Sequence, residues 1–400
     1  MSRVWRTWSV LVLFALGTSL ITPLIPIYQA RLGFGDTVVT LFLGCYVAAL
    51  VPSMLTLGQL SDRVGRKGVL LGALATLAAA QVLLITEPDL AGLLIARAIQ
   101  GIATGAFFGT CTAFIVDAAP AGRRGFVAVL ASVSIRLGLG LGPGIGGVIA
   151  QYAGNPLRLP FELHLAALAL AAAFVVTLPE TVTARSRRPL TLRLEVPAAE
   201  RAVFWRVLVP SGMLFSLFDG VALSLIPVFL VRNLGVDNYA LVGAAGFLVL
   251  VSGAVSQLLL PRLPPPRAIG GGLAAAAVAS VGVVAAAPAG SVGLALAAVA
   301  GTGAAAGLVF KGGVDLCTQI APLADRGKLI SSYYVACYLG GFSVPLLVIG
   351  VLSDLVGLTA ALAALSAAAG AGALWTAGVG LRSLAGLGPA PAGVARQGAE

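Results

Sequence analysis

The chain has 400 residues, of which 59% are hydrophobic and 10% charged, with 25 Lys and Arg against 15 Asp and Glu. A soluble domain carries about 25% charged residues, so this composition excludes one and points to a protein that lives in lipid. One histidine and four cysteines (Cys45, Cys111, Cys317, Cys337) without ligand spacing exclude a metal cluster, and no Gly-rich phosphate loop supports an ATP-driven machine.

Twelve apolar segments follow one another, at about 8–28, 37–58, 68–86, 90–117, 124–152, 161–179, 204–231, 239–260, 268–287, 291–319, 328–353 and 358–381. Each approaches or exceeds the roughly 20 helical residues that cross a bilayer, which predicts an all-α membrane protein of twelve transmembrane helices. The first segment has a basic start (Arg3, Arg6) but no small-x-small site, so it reads as an uncleaved span. A polar, basic, Pro-containing stretch divides the segments into 1–180 and 203–384, with a linker at 181–202 and a tail at 385–400. Fifty-one glycines suit helices that pack backbone to backbone in lipid.

Most Lys and Arg lie at the termini, in the linker, or in loops on the same side as the 58–67 turn; Arg31, Arg158 and Arg232 lie on the other side. The positive-inside rule then predicts cytoplasmic termini. Trp5, Trp8 and Trp205 fall where a cytoplasmic interfacial belt belongs. Topology therefore accounts for the net charge of +10, and no nucleic-acid partner is expected.

The chain repeats itself. A shift of about 201 residues lays Ile25-Pro26-Ile27-Tyr28 on Ile226-Pro227-Val228-Phe229 and Arg31 on Arg232. A shift of about 202 lays Gly101 and Gly105 on Gly303 and Gly307, and Pro143 on Pro345. Charges inside the spans are not duplicated: Arg97, Arg136, Asp219, Lys311 and Asp315 all meet uncharged residues. A charge at membrane depth costs at least ~2.5 kcal/mol, so charges the scaffold does not repeat are candidates for function.

Gly58-Gln59-Leu60-Ser61-Asp62-Arg63-Val64-Gly65-Arg66-Lys67 is a charged turn between two apolar runs. Gly58 would allow close helix approach, Gly65 a tight turn, and Asp62 would face the N-terminus of a neighbouring helix. A plain topogenic loop is the simpler reading. The pattern G-x-L-S-D-R-x-G-R-K resembles the loop between helices 2 and 3 of the major facilitator superfamily of transporters. That resemblance implies two pseudo-symmetric six-helix bundles around a midplane cavity, working by alternating access. It also implies that this turn latches the outward-facing state, with Asp117 as an arginine partner.

Further motifs follow the same resemblance. Gly17, Pro23 and Pro26 are similar to a first-helix motif of the twelve-helix drug exporters. Arg97 with Gly101 resembles the helix 4 motif whose arginine is associated with proton coupling; a snorkelling arginine is the alternative. Gly138-x-x-x-Gly142-Pro143-x-x-Gly146-Gly147 resembles the antiporter signature of drug:proton exporters. Physically, its glycines and proline predict a close, bendable contact with the other half.

In this fold helices 1, 4, 7 and 10 line the cavity. Asp219, Lys311 and Asp315 are thus expected to form a cavity cluster, in which Asp219 or Asp315 takes the proton. A structural Lys311–Asp315 pair on one helix face is the alternative. Arg136 either pairs with a cavity aspartate or binds an anionic substrate, and Tyr338, opposite Arg136 in the repeat, joins the substrate cavity. His164 is expected at the interface. The expected protein is not an enzyme and needs no cofactor. It is a secondary transporter exporting amphipathic small molecules against protons, monomeric in a bacterial inner membrane. A carrier for a defined metabolite, anionic or a sugar, and a non-transporting sensor are the alternatives.

Overall fold

The computed structural model describes residues 2–182, 194, 196–322, 325–376 and 378. Most of the linker and the whole 385–400 tail therefore lie outside the described residues. Among those described, twelve helical spans are long and apolar enough to cross a membrane. They are α1 (Trp5–Leu32), α2 (Asp36–Gly58), α3 (Arg66–Ile85), α4 (Leu90–Ala118), α5 (Leu130–Tyr152) and α6 (Leu159–Thr177). The second six are α7 (Ala198–Leu234), α8 (Tyr239–Leu259), α9 (Pro265–Ala289), α10 (Val292–Ile320), α11 (Arg326–Val356) and α12 (Leu358–Trp375). Every predicted segment coincides with one of them. Large apolar side chains such as Val278, Leu355 and Leu374 point outward, as lipid-facing helices require.

Two spans are interrupted where proline removes a backbone donor. In α1 the helix Ser2–Ser19 gives way to a 3-10 turn at Thr22–Leu24, and a new helix starts at Ile25, beside Pro23 and Pro26. In α11 the helix ends at Gly341 and restarts at Val344, with Pro345 in its first turn.

Glycines set the close helix crossings, and they do so twice. A Cβ added to Gly101 or Gly105 of α4 would lie 2.1 Å from the Tyr46 carbonyl and 2.4 Å from that of Leu50, both on α2. At the repeated positions of α10, a Cβ on Gly303 or Gly307 would lie 2.1 Å from the Val249 carbonyl and 2.2 Å from that of Gly253, both on α8. The first six and last six spans meet chiefly where α5 packs on α8 and α2 packs on α11.

The α5 glycines divide their work, which corrects the expectation of a single contact with the other half. Gly138, Gly142 and Gly146 face α1 of their own half, against Ala15, Leu16 and Leu20. Gly147 faces α8 instead, where a Cβ would lie 2.4 Å from the Tyr239 carbonyl, and Pro143 sits against Gly243 and Gly246. The reason is helical periodicity: 138, 142 and 146 fall four apart along one stripe, while 143 and 147 lie one position further round.

Candidate functional site: a central cavity and two gates

A cavity of about 650 Å³ lies between the two sets of spans. It is lined from α1, α4, α7 and α10, as expected, and also from α2, α5, α8 and α11. Its lining continues down α4 through Ala113 and Val116 to Asp117, at the end that carries the Gly65 turn. One wall is aromatic. Phe310 of α10 meets Tyr334 edge-on at 5.5 Å, and the rings of Tyr334, Tyr338 and Phe342 stack along α11 at 6.4 and 5.8 Å.

Arg136 and Asp219 meet across the two sets. Arg136 Nη2 on α5 donates to Asp219 Oδ2 on α7 at 3.2 Å. The guanidinium also sits 5.7 Å from the centre of the Phe310 ring, a cation–π distance. Its Nη1 occupies the space left by Gly253, where a Cβ would be 2.5 Å away. Yet Nη1 of Arg136 and Oδ1 of Asp219 have no hydrogen-bond partner among the described residues. A buried pair held by one contact is only half satisfied, so it is poised to exchange partners.

Arg97 is buried inside the first set, which removes the snorkelling alternative. Its Nη1 donates to Gln100 Oε1 at 2.6 Å and to the Thr18 carbonyl at 2.9 Å. Its Nε reaches the Phe42 carbonyl at 3.3 Å, and the group lies 4.6 Å from the Tyr46 ring centre. Thr18 and Phe42 carry these carbonyls on α1 and α2, so Arg97 ties three spans together beside the cavity.

The expected Asp219–Lys311–Asp315 cluster is not assembled. Lys311 pairs with Asp315 at 2.5 Å, one helical turn away, and reaches the Leu263 carbonyl at 3.5 Å. Neither residue is among those lining the cavity, whereas Asp219, Arg136, Arg97 and Tyr338 are. Sequence depth placed Lys311 level with Asp219, but helix rotation aims it at the α8–α9 connection. His164 also departs from expectation: it is buried, its Nε2 meets the Leu13 carbonyl at 2.9 Å, and its ring fills the slot left by Gly17.

At the charged turn, Arg66 forms an ion pair with Asp117. Arg63 lies in the last turn of the long helix Asp36–Val64, and Gly65 turns the chain with φ +103°, where a side chain would be strained. Gly58 faces open space rather than a close helix crossing. The side chain of Asp62 lies outside the described residues. Among the described residues, α3 is capped by Glu180, which accepts from the backbone N–H groups of Arg66 at 3.1 Å and Lys67 at 3.0 Å. Lys67 Nζ in turn donates to the carbonyls of Val176 at 2.5 Å and Leu178 at 3.1 Å. Sequence reasoning missed Glu180; its signal was an acid at the end of α6, close to the turn whose donors lack partners.

Burial alone would raise the Glu180 carboxyl, but the backbone donors at Val182, Lys67, Arg66 and Thr181 outweigh it and hold the group below its ordinary 4.5. A depressed carboxylate contributes stability above its unfolded value and loses it as pH falls through the folded one. Thermal melts should therefore show Glu180→Gln less stable than the parent at pH 7. The gap should narrow as pH drops below about 4.5.

The family model of the Major Facilitator Superfamily matches residues 7–345. The quinolone resistance protein NorA of Staphylococcus aureus (strain MRSA252) is 29% identical over 153 residues, 37% of this chain and 38% of that protein. An uncharacterized MFS-type transporter of Methanocaldococcus jannaschii is 27% identical over 159 residues, 40% of this chain and 41% of that protein. The matched region thus spans about two fifths of these relatives. Among solved structures, a peptide transporter POT bound to sulfate superposes with TM-score 0.79 at 15% identity, covering 95% of this chain and 94% of that one. A D-xylose-proton symporter gives 0.72 at 19% identity, covering 93% and 96%. A bacterial homolog of the human lysosomal transporter Spinster, in an inward-facing and occupied conformation, gives 0.72 at 16% identity, covering 93% and 95%.

Among the described residues, twelve spans of membrane-crossing length surround the central cavity, in the fold of the solved transporters above. The chain belongs to the major facilitator superfamily.

Proposed function

We propose that this transporter is a proton-coupled exporter of amphipathic small molecules in a bacterial inner membrane, with the Gly65 turn and both termini cytoplasmic. The observation that carries this reading is the half-satisfied Arg136–Asp219 pair, which lines the cavity and joins the two sets of spans. Protonation of Asp219 discharges the pair and releases its hold between the sets. A substrate whose donor group takes Asp219 competes with the proton for the same oxygens, and that competition is antiport. The aromatic wall offers the apolar surface for such a substrate. Similarity to a quinolone resistance protein and the α5 glycine–proline pattern support export.

Proton movement in liposomes tests this. Adding a transported compound should release protons from the substrate-binding side of the purified protein. Flux without proton movement would mean a facilitator.

A second reading rests on Arg136, whose Nη1 has no hydrogen-bond partner among the described residues although the residue lines the cavity. An anion taken by Arg136 would strip Asp219 of its counter-charge and draw a proton in, giving co-transport. The sign of the proton signal separates the two: release for a competing donor, uptake for an anion.

A further inference from the structure

The end of the molecule opposite the Gly65 turn is sealed by a carboxylate that the transport reading does not use. Asp36, in the first turn of α2, is fully buried. Gln29 of its own half donates to it at 2.9 Å. Its remaining donors come from the other half. Arg232, at the end of α7, gives two bonds of 3.1 and 2.5 Å, and the Ser353 hydroxyl of α11 gives another of 2.5 Å.

The traffic also runs the other way. Asp354 of α11 accepts from the backbone N–H groups of Asp36 at 2.7 Å and Thr37 at 2.9 Å, and from the Thr37 hydroxyl at 2.6 Å. Those are donors that a helix start leaves unpaired, so the last six spans cap a helix of the first six. The surfaces also fit closely: a Cβ on Gly350 would lie 2.3 Å from Thr40 Oγ1, and one on Gly35 2.8 Å from Asp354 Oδ1.

We propose that Asp36, Arg232, Ser353 and Asp354 form the latch that holds this end closed while the cavity extends to the other. Alternating access requires the α2 and α11 ends to part here. Parting takes from Asp36 every donor except Gln29, and takes from α2 the Asp354 cap. Water then has to replace charge-assisted bonds, so the latch favours the state with this end shut. The Arg66–Asp117 pair sits at the opposite end. That pair joins two spans of the same half, so it does not tie the two halves together as the Asp36 contacts do. The latch works for any cargo and does not depend on proton coupling.

The test reads conformation. Spin labels introduced genetically at the exposed positions Thr86 and Ala289 would straddle this end. In the parent protein the short separation should dominate. Asp36→Asn and Arg232→Gln should each raise the ratio of open to closed by about tenfold. Asp117→Asn, which breaks a pair within one half, should leave it unchanged and serves as a control. Ser353→Ala, which removes one bond and no charge, should give a smaller shift in the same direction as Asp36→Asn. It serves as the check should Asp36→Asn fail to fold. Unchanged distance distributions in folded Arg232→Gln and Ser353→Ala proteins would overturn the proposal.

Discussion

Asp219→Asn should abolish proton-driven accumulation or extrusion of substrate while leaving counterflow exchange intact. The amide keeps the shape of the carboxylate but has no proton to gain or lose at working pH. Loaded carriers can still cycle, because exchange needs no net proton transfer. The substitution also leaves Arg136 as an unpaired charge in a site that is mostly enclosed. Breaking a buried pair from one side costs about 3–5 kcal/mol; the cavity's opening toward Asp117 should put this case at the lower end. The double variant Arg136→Gln, Asp219→Asn separates the two effects. It should recover much of the lost thermal stability, yet remain uncoupled. If it regains uphill transport, Asp219 does not carry the proton.

Gly147→Ala and Gly138→Ala should fail differently, although both positions belong to the same sequence motif. At Gly147 the added methyl would press on the Tyr239 carbonyl and on the Gly243 backbone, at the crossing between α5 and α8. Backbone has little room to yield, so the two sets must shift against each other. Transport should slow by roughly tenfold or more, with a smaller loss of stability, as for a crossing that must move in every cycle. At Gly138 the methyl meets Ala15 and Val12 of α1, inside one set. There the expected effect is lower stability, about 1–3 kcal/mol as for overpacking. Turnover by the protein that remains folded should be near normal. Rates per folded molecule, set beside melting temperatures, distinguish the two outcomes.

Much of the fold was legible because lipid imposes a simple rule. Backbone groups must pair within each span, so apolar length alone marks a helix. The repeat was legible too, since Gly101 and Gly105 and their partners Gly303 and Gly307 serve the same crossings. The site was harder to read. Buried charges stood out one by one, but which of them meet depends on helix rotation and on how the two sets dock. A cavity aspartate was one of the two partners expected for Arg136, but nothing along the chain singles out Asp219 for it or keeps Lys311 away. Repeated positions did not predict repeated partners either. Arg31 pairs with Glu87 within its own half, whereas its counterpart Arg232 reaches across to Asp36. Asp36 carries no mark of its burial along the chain, because that burial is produced by the other half of the molecule.

The aromatic wall has a spectroscopic consequence. Trp5, Trp8, Trp205 and Trp375 all lie away from the cavity lining, while Phe310, Tyr334, Tyr338 and Phe342 form it. Indole emission from the unaltered protein should therefore be nearly blind to cargo. A single Phe342→Trp substitution would place a fluorophore at the end of the ring stack, beside the interruption in α11. Quenching or a colour shift in that variant would then report occupancy directly, without any need to follow flux.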